Sequence, residues 1–476
     1  MRKYKSIQFN MFLNLLKTVF ATIFPLITFK YISDVLGTSG VGKINFSNSI
    51  VQYFTVIAGL GISAYATREL AKVRENKTKV NEIASELFSI NIISMAVSYV
   101  GLIIIAFLGP GLQDYRILIF IQSLVIFFST VGVDWVNIVY EDYIYITIRT
   151  IAVQLLALLL ILFFVKTSKD YTIYAIVNVA ASGITCLSNY FYVKKYIYIK
   201  FVFNKKIFKH LKPILMIFFM NIAISIFVTS DTTMIGFLRG DEEVGIYSVA
   251  TKIYSTLKTV IVALTSVTIP RLSYNYEHNR EEYVNNLNSI FTILLFFCLP
   301  VIFAVEIVPD LFIMLISNGD YLDSRFSLRI LGIAILPTTL STLINSNILL
   351  AERKEKYMLI STSVAAFVNI MLNFFLIPIL GIAAAAITTL ISEIIVIIIA
   401  SIQAQDTLKQ LKMKIIFTNL NKSLIGCIYI FLLYVILSKV VLLGNFFYFL
   451  YVVLSITGYF VIEIILKNSV FDVIKK

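Results

Sequence analysis

The chain has 476 residues, of which 59% are hydrophobic and 14% charged, against about 25% charged in soluble domains, and its mean hydropathy is +0.89. The apolar residues fall in runs of about 20 separated by short polar breaks, which excludes an ordinary soluble fold and points to an all-α polytopic membrane protein. The net charge of +13 could serve a nucleic-acid binder, but the basic residues cluster in alternate loops; that is the positive-inside pattern, and nucleic acid is excluded as a partner.

In chain order, the basic opening "MRKYKS" precedes an apolar run that reaches about residue 32 with no small-residue cleavage site, so it reads as a retained first helix. The spans predicted from hydropathy are 7–32, 44–65, 83–108, 116–140, 145–166, 171–193, 213–238, 246–269, 287–308, 327–350, 357–378, 381–402, 420–440 and 446–467, about 14 transmembrane helices. The loop after the second carries five basic residues in "TRELAKVRENKTK", and the loop after the sixth carries seven lysines in "KKYIYIKFVFNKKIFKHLK". "ERKEK" and "DTLKQLKMK" continue the series, whereas "GPGLQDY", "RGDEEV", "IPILG" and "LLGN" are poor in Lys and Arg. Both termini are therefore expected in the cytoplasm.

Residues 36–70 and 238–273 repeat one pattern. Each has a Leu, a short Gly-containing loop and a Val-Gly pair opening a helix, Val41-Gly42 and Val244-Gly245, then an Arg 26 residues after the Gly, Arg68 and Arg271. The offset of 203 holds without a gap. Two parallel six-helix lobes are expected, residues 1–200 and 201–403, with two further helices in 404–476; such repeats in transporters pack about an axis along the membrane normal. "GTSGVGKI" nearly fits a phosphate-binding loop, but Ile44 stands where the Mg²⁺-binding hydroxyl belongs and no strand precedes it, so the glycines read as a tight turn and no ATP-driven step is expected. Cys186, Cys298 and Cys427 lie in apolar runs and read as core; His210 and His278 lie in polar stretches without ligand spacing, and no metal or cofactor is expected.

Polar residues line the first two helices of each lobe. Asn45, Asn48, Gln52, Thr55 and Gly59 share one face of the second helix. Ser248, Thr251, Ser255 and Lys258 occupy the equivalent face 203 residues on. Asn10, Asn14, Lys17 and Ala21 line the first helix; Asn221, Ser225, Thr229 and Thr232 line the seventh, near Asp231. Lys17 stands ten residues into its helix, about 15 Å along it, where a charge costs about 2.5–3.5 kcal/mol. The stripes read as the lining of a water-filled cavity. Lys17, Lys252 and Lys258 are its cations and suit an anionic substrate, and Asp231 is a candidate structural partner of Lys252. Asp134, Arg149, Arg329, Glu306, Glu393 and Glu463 are assigned no role.

"DTTMIGFLRGDEEVGIYSVATKIY" followed by "IPRLS", with "PLITFKYISDVLGTSGVGKINFSNSIVQYF" and "YATRELAKVRENK", resembles the Wzx-type polysaccharide repeat-unit flippases of the multidrug/oligosaccharidyl-lipid/polysaccharide exporter superfamily. "DWVNIVYEDYIYITIR" matches more loosely, with Asn137-Ile138 replacing the usual Gln-Gly. The resemblance implies a bacterial cytoplasmic-membrane protein, not an enzyme, with a central cationic cavity and alternating access. It also implies an undecaprenyl-diphosphate-linked oligosaccharide as substrate, moved from the cytoplasmic to the outer leaflet. Lys17, Lys258 and Lys252 would hold the diphosphate, while Asn14, Asn45, Asn48, Gln52, Ser255, Asn221 and Asp231 would line the path. Membrane lipids and the polysaccharide polymerase machinery are the implied partners. A peptidoglycan-precursor flippase, a drug/cation antiporter and a non-transporting membrane scaffold are the alternatives.

Overall fold

A hydrocarbon environment leaves each backbone N–H and C=O to find its partner within the chain, and the helix does this locally. The computed structural model describes residues 7–266, 268–440 and 444–471, and among them every regular element is helical. The basic termini expected in the cytoplasm and part of the "LLGN" loop fall outside these residues. The helices are α1 (Ile7–Gly59), α2 (Ile62–Ala71), α3 (Lys77–Leu108), α4 (Arg116–Gly132), α5 (Trp135–Val139), α6 (Tyr143–Phe164), α7 (Tyr171–Val193), α8 (Phe208–Leu238) and α9 (Asp241–Ser266). They continue with α10 (Ile269–His278), α11 (Arg280–Ile307), α12 (Pro309–Ile316), α13 (Arg325–Leu343), α14 (Glu355–Leu380), α15 (Ile382–Gln403), α16 (Gln405–Leu408), α17 (Met413–Val440) and α18 (Asn445–Ile465).

Among the described residues, 12 segments are long and apolar enough to cross a membrane. The expected 14 differs at two places. The single segment Lys17–Ala71 takes in most of the first predicted span and all of the second, and α9 is not among the 12. Three acids in its first turn and the lysines at 252 and 258 make α9 the polar member of the set.

The turn expected over residues 33–43 shrinks to one residue. Helix runs on both sides of Gly37, whose φ of 66° and ψ of −178° break α1. A Cβ at Gly37 would meet nothing within 4 Å, so the dihedral, not space, demands glycine there.

Two compact units result, Met1–Ser248 with Ile316–Asp320, and Val249–Leu315 with Tyr321–Lys476. In the first, α1 packs against α3, α4, α6 and α8, and α4 against α7. The end of α1 leaves carbonyls without helical donors; Asn91 of α3 donates to Ala58 O at 2.7 Å and Ser98 to Phe54 O at 2.6 Å. Past α7 the chain runs extended along α3. The N–H groups of Tyr198, Lys200 and Val202 bond Asn81, Ser85 and Ser89, one helical turn apart, at 2.9, 3.1 and 2.8 Å. In the second unit α11 packs on α13 and α17, α15 on α13 and α14, and α17 on α18. Leu287, Leu294, Cys298, Ile335 and Ile348 form its core.

Within the first unit, repeat-equivalent positions cross. A Cβ on Gly42 would lie 1.8 Å from Asp241 O, and one on Gly245 would lie 2.0 Å from Thr38 O. Shifting Thr38 and Gly42 by 203 gives Asp241 and Gly245, so the two contacts are exchanged by the repeat, and the bond from Asn45 Nδ2 to Ser248 Oγ at 2.8 Å joins equivalent positions directly. The two glycines, read from the sequence as opening their helices, let two helix backbones touch.

The junction between α5 and α6 is tied down by Asp142. Tyr192 donates to its Oδ2 at 2.7 Å, Tyr196 at 2.5 Å, and the Lys195 ammonium lies 3.4 Å away. Burial pushes the Asp142 carboxyl up, but the two tyrosine bonds and Lys195 outweigh it and hold it below the ordinary carboxylate range.

Two outcomes are expected. Gly42→Ala and Gly245→Ala should each destabilise the detergent-purified protein by about 1–3 kcal/mol through backbone displacement, read by thermal unfolding; unchanged unfolding would remove the close crossing. Because the carboxyl of Asp142 is depressed in the folded state, the stability it adds is present above the unfolded value of about 3.9 and is lost as pH falls through the folded value. Asp142→Asn should therefore lower stability at pH 7 and flatten its decline below about pH 4; an unaltered pH profile would contradict this role.

Candidate functional site

In the first unit, α1 presents the polar row foreseen from its spacing. Asn48 and Gln52, one turn apart, are exposed, while Asn45 is half-buried and spends its amide on Ser248. Exposed amides on a helix of this hydropathy call for water or a polar ligand, since hydrocarbon offers no partner. Lys17, half-buried in α1, has no ion pair or hydrogen bond among the described residues. The side chain of Asn14 lies outside the described residues. Asn221 is half-buried in α8. Asp231, 6% exposed, accepts a hydrogen bond from Tyr247 at 2.9 Å.

A cation that spacing did not single out stands close by. Arg149 lies six residues into α6, its side chain 7% exposed. Its Nη2 donates to Asp134 at 3.0 Å and the guanidinium lies 5.2 Å from the centroid of the Tyr145 ring. Nε and Nη1 are buried with no acceptor. Leaving such donors unpaired costs about 1–3 kcal/mol each, more for a charged group. Two residues earlier, Thr147 donates to Leu13 O of α1 at 3.2 Å; Leu13 is one turn before Lys17. By the helical rise, Lys17 and Arg149 differ in height by only about 3 Å on two packed helices. The available sequence signal was an arginine inside an apolar run, discounted because it sits near a helix end.

In the second unit, Lys252 is half-buried on α9, and Ser255, exposed, turns its hydroxyl back to the Lys252 carbonyl at 3.1 Å. Lys258 is half-buried, 5.9 Å from the centroid of the Tyr254 ring. The Tyr254 hydroxyl shares a 2.6 Å hydrogen bond with Thr338. Glu393, 4% exposed in α15, accepts from Ser341 at 3.3 Å and lies within Coulombic reach of Lys258. Lys258 thus has an acidic neighbour that helix position alone did not single out.

His210 is not a loop residue. It is 4% exposed in α8, with Nε2 2.9 Å from Glu86 Oε2 and Nδ1 2.9 Å from the Tyr65 hydroxyl. Lys209 joins Glu86 at 3.0 Å. Among the described residues no group of three acidic, histidine or cysteine side chains could hold a metal ion. All three cysteines are free and buried.

The first unit thus presents a lysine and an arginine without full partners among the described residues and exposed amides, and the second presents two half-buried lysines and a buried carboxylate. They can hold an anion and replace water around hydroxyl groups; no nucleophile–base pair emerges from them.

Against solved structures, the chain has a TM-score of 0.73 to a lipid II flippase MurJ in an inward closed conformation, at 17% identity over 95% of this chain and 98% of that one. It has a TM-score of 0.59 to an inward-facing multidrug resistance MATE family transporter of the MOP superfamily, at 14% identity over 86% and 97%. The fold is that of this transporter superfamily. A protein of Escherichia coli (strain K12) designated an O-antigen transporter is 24% identical over 263 residues, 54% of this chain and 63% of its own length, so the match spans less than two thirds of that relative. The MatE family model matches residues 217–375. The model of the polysaccharide biosynthesis protein family matches residues 8–276, more than half of the chain, and on that match the chain belongs to the polysaccharide biosynthesis protein family.

Proposed function

We propose that the protein is a flippase. It carries an isoprenyl-diphosphate-linked oligosaccharide repeat unit from the cytoplasmic to the outer leaflet of a bacterial cytoplasmic membrane by alternating access between two six-helix lobes. The observation that carries this reading is Arg149, a buried guanidinium with two N–H groups lacking acceptors, level with Lys17, which has no ion pair among the described residues. Intramembrane cations in this condition are functional sites by default, and a diphosphate supplies the missing acceptors in charge-assisted form. Asn48 and Gln52 offer amides to sugar hydroxyls, and Lys258 with Lys252 offers the second cationic pole. Asn14, Asn45, Ser255, Asn221 and Asp231 complete the proposed lining. The family match and the designation of the Escherichia coli relative support the substrate class.

The driving force needs no ATP. With the cell interior negative, moving about two negative charges outward across 100 mV is favourable by roughly 4–5 kcal/mol. The isoprenyl tail remains in the bilayer throughout, because only the headgroup pays the desolvation cost of crossing. The likeness to a lipid II flippase fold favours one second reading, a peptidoglycan-precursor headgroup on the same diphosphate anchor.

Reconstituted in liposomes with an inside-negative potential, the wild type should translocate a short fluorescent isoprenyl-diphosphate oligosaccharide. Lys17→Ala and Arg149→Ala should each slow it by about tenfold or more, the loss of one charge-assisted contact. Wild-type transport of a peptidoglycan precursor but of no repeat-unit oligosaccharide would select the second reading. Wild-type transport indifferent to both cations would refute the anion site.

A further inference from the structure

The extended strap that follows α7, residues 197–204, carries more than positive charge. Its side chains Ile197 and Ile199 pack into the core built by α2, α3 and α5. Three of its N–H groups are taken by Asn81, Ser85 and Ser89 of α3. The backbone is therefore fixed, and the remaining side chains face outward. Tyr198, Phe201 and Phe203 are exposed, Phe203 at 79%, and Phe208 opens α8 exposed as well.

Lysines interleave with these rings, and they divide in two. Lys195, Lys206 and Lys209 are spent on Asp142, Glu82 and Glu86. Lys194, Lys200, Lys205 and Lys212 are exposed and have no acidic partner among the described residues. Lys194 lies 4.8 Å from the centroid of the Tyr190 ring and Lys200 5.1 Å from that of Tyr198.

Position along α3 sets the depth of the strap. This helix has 32 residues, about 48 Å. Counted back from Leu108, about 20 residues span a hydrocarbon core of about 30 Å, which puts its inner edge near Ser89. The strap meets Asn81 first and Ser89 last, about 12 Å further in, and the chain then returns to Glu82 through Lys206. It thus dips through the headgroup layer. Phe201 and Phe203 reach the edge of the hydrocarbon, while Lys200 and Lys205 stand among the headgroups. Rings left in water would form an exposed apolar patch, and rings sunk deeper would drag the lysines into hydrocarbon. At the boundary the rings enter the acyl chains and the ammonium groups meet phosphates.

We propose that the strap and the start of α8 form a binding surface for anionic phospholipid of the cytoplasmic leaflet. Phe201 and Phe203 seat among the acyl chains, and Lys200 and Lys205 are the phosphate ligands. Charge complementarity selects the occupant, because four lysines here have no acid within the described protein to answer them. A zwitterionic headgroup brings its own ammonium and offers them no net attraction; an anionic one does. The role is independent of what the protein transports and rests on the expected cytoplasmic placement of this loop.

The test is tryptophan quenching in the full chain, reconstituted in vesicles of phosphatidylcholine and phosphatidylglycerol with one of the two lipids brominated on its acyl chains. Phe203→Trp supplies the reporter. The wild type, whose single tryptophan is the buried Trp135, supplies the background to subtract. Brominated phosphatidylglycerol should quench the reporter as if enriched about fivefold or more over its share of the bilayer, and high salt should reduce the enrichment. Adding Lys200→Gln and Lys205→Gln should bring the two lipids close to parity while quenching persists. Lys409→Gln with Lys414→Gln, which removes the same charge from exposed lysines of the second unit, should leave the enrichment unchanged. If the reporter variant does not fold, Phe201→Trp is read in its place. Equal quenching by the two lipids, or enrichment indifferent to Lys200 and Lys205, overturns the anionic-lipid site. No quenching by either lipid places the rings in water or against a protein and overturns the membrane contact. Loss of the enrichment on adding stoichiometric isoprenyl diphosphate assigns the lysines to that headgroup and overturns the phospholipid.

Discussion

A bilayer interior supplies neither water nor hydrogen-bond partners, so a polar group placed there must be answered by the protein or by something the protein carries. The architecture follows from that constraint. Regular structure is helical throughout the described residues, and where a helix must end or bend within apolar surroundings, side chains answer the freed carbonyls. Asn91 and Ser98 do so for the last turns of α1. Asn81, Ser85 and Ser89 accept from the backbone N–H groups of the extended strap that follows α7.

Held to the same constraint, the ionisable groups sort into two kinds. Asp142 with its tyrosines is closed by partners within the first unit, and so is Oε2 of Glu86, which takes His210 and Lys209 while its Oε1 is buried without one. They pin helix junctions, and their net contribution to stability is small because desolvation offsets most of the attraction. Lys17, Arg149 and the exposed amides of α1 are left open. An open cation at that depth is costly, and a chain retains such a cost where a ligand removes it. Lys258 of the second unit is half-buried over the Tyr254 ring. A transporter needs such groups, since a site satisfied permanently from within has no differential affinity to offer its cargo.

The crossing of α1 and α9 near Gly42 and Gly245 carries a related lesson. Two helices approach to backbone contact only where Cβ atoms are absent, and small residues provide this in membrane helices. Repetition of that contact at a constant offset of 203 is what two copies of one structural unit produce when their equivalent segments meet. The glycines of "GTSGVGKI" thus serve a backbone break at Gly37 and close packing at Gly42, which accounts for the resemblance to a phosphate loop.

The sequence by itself determined the class of the protein, its helical spans to within a few residues, the positive-inside pattern, the internal repeat and the polar faces, because hydropathy and periodicity are properties of consecutive residues. The predicted span 171–193 matches α7 residue for residue. Lys17, Asn48 and Gln52 were legible for the same reason: a polar residue in an apolar run announces itself. Only the tertiary structure decided which of those groups remain open. That Asn45 is spent on Ser248, that Asp231 is held by Tyr247, that Arg149 meets Asp134 and that Ser341 donates to Glu393 all depend on residues 15 to 203 positions apart in sequence. Partnership at such separations is set by how helices pack, and the spacing within one helix carries no record of its neighbours.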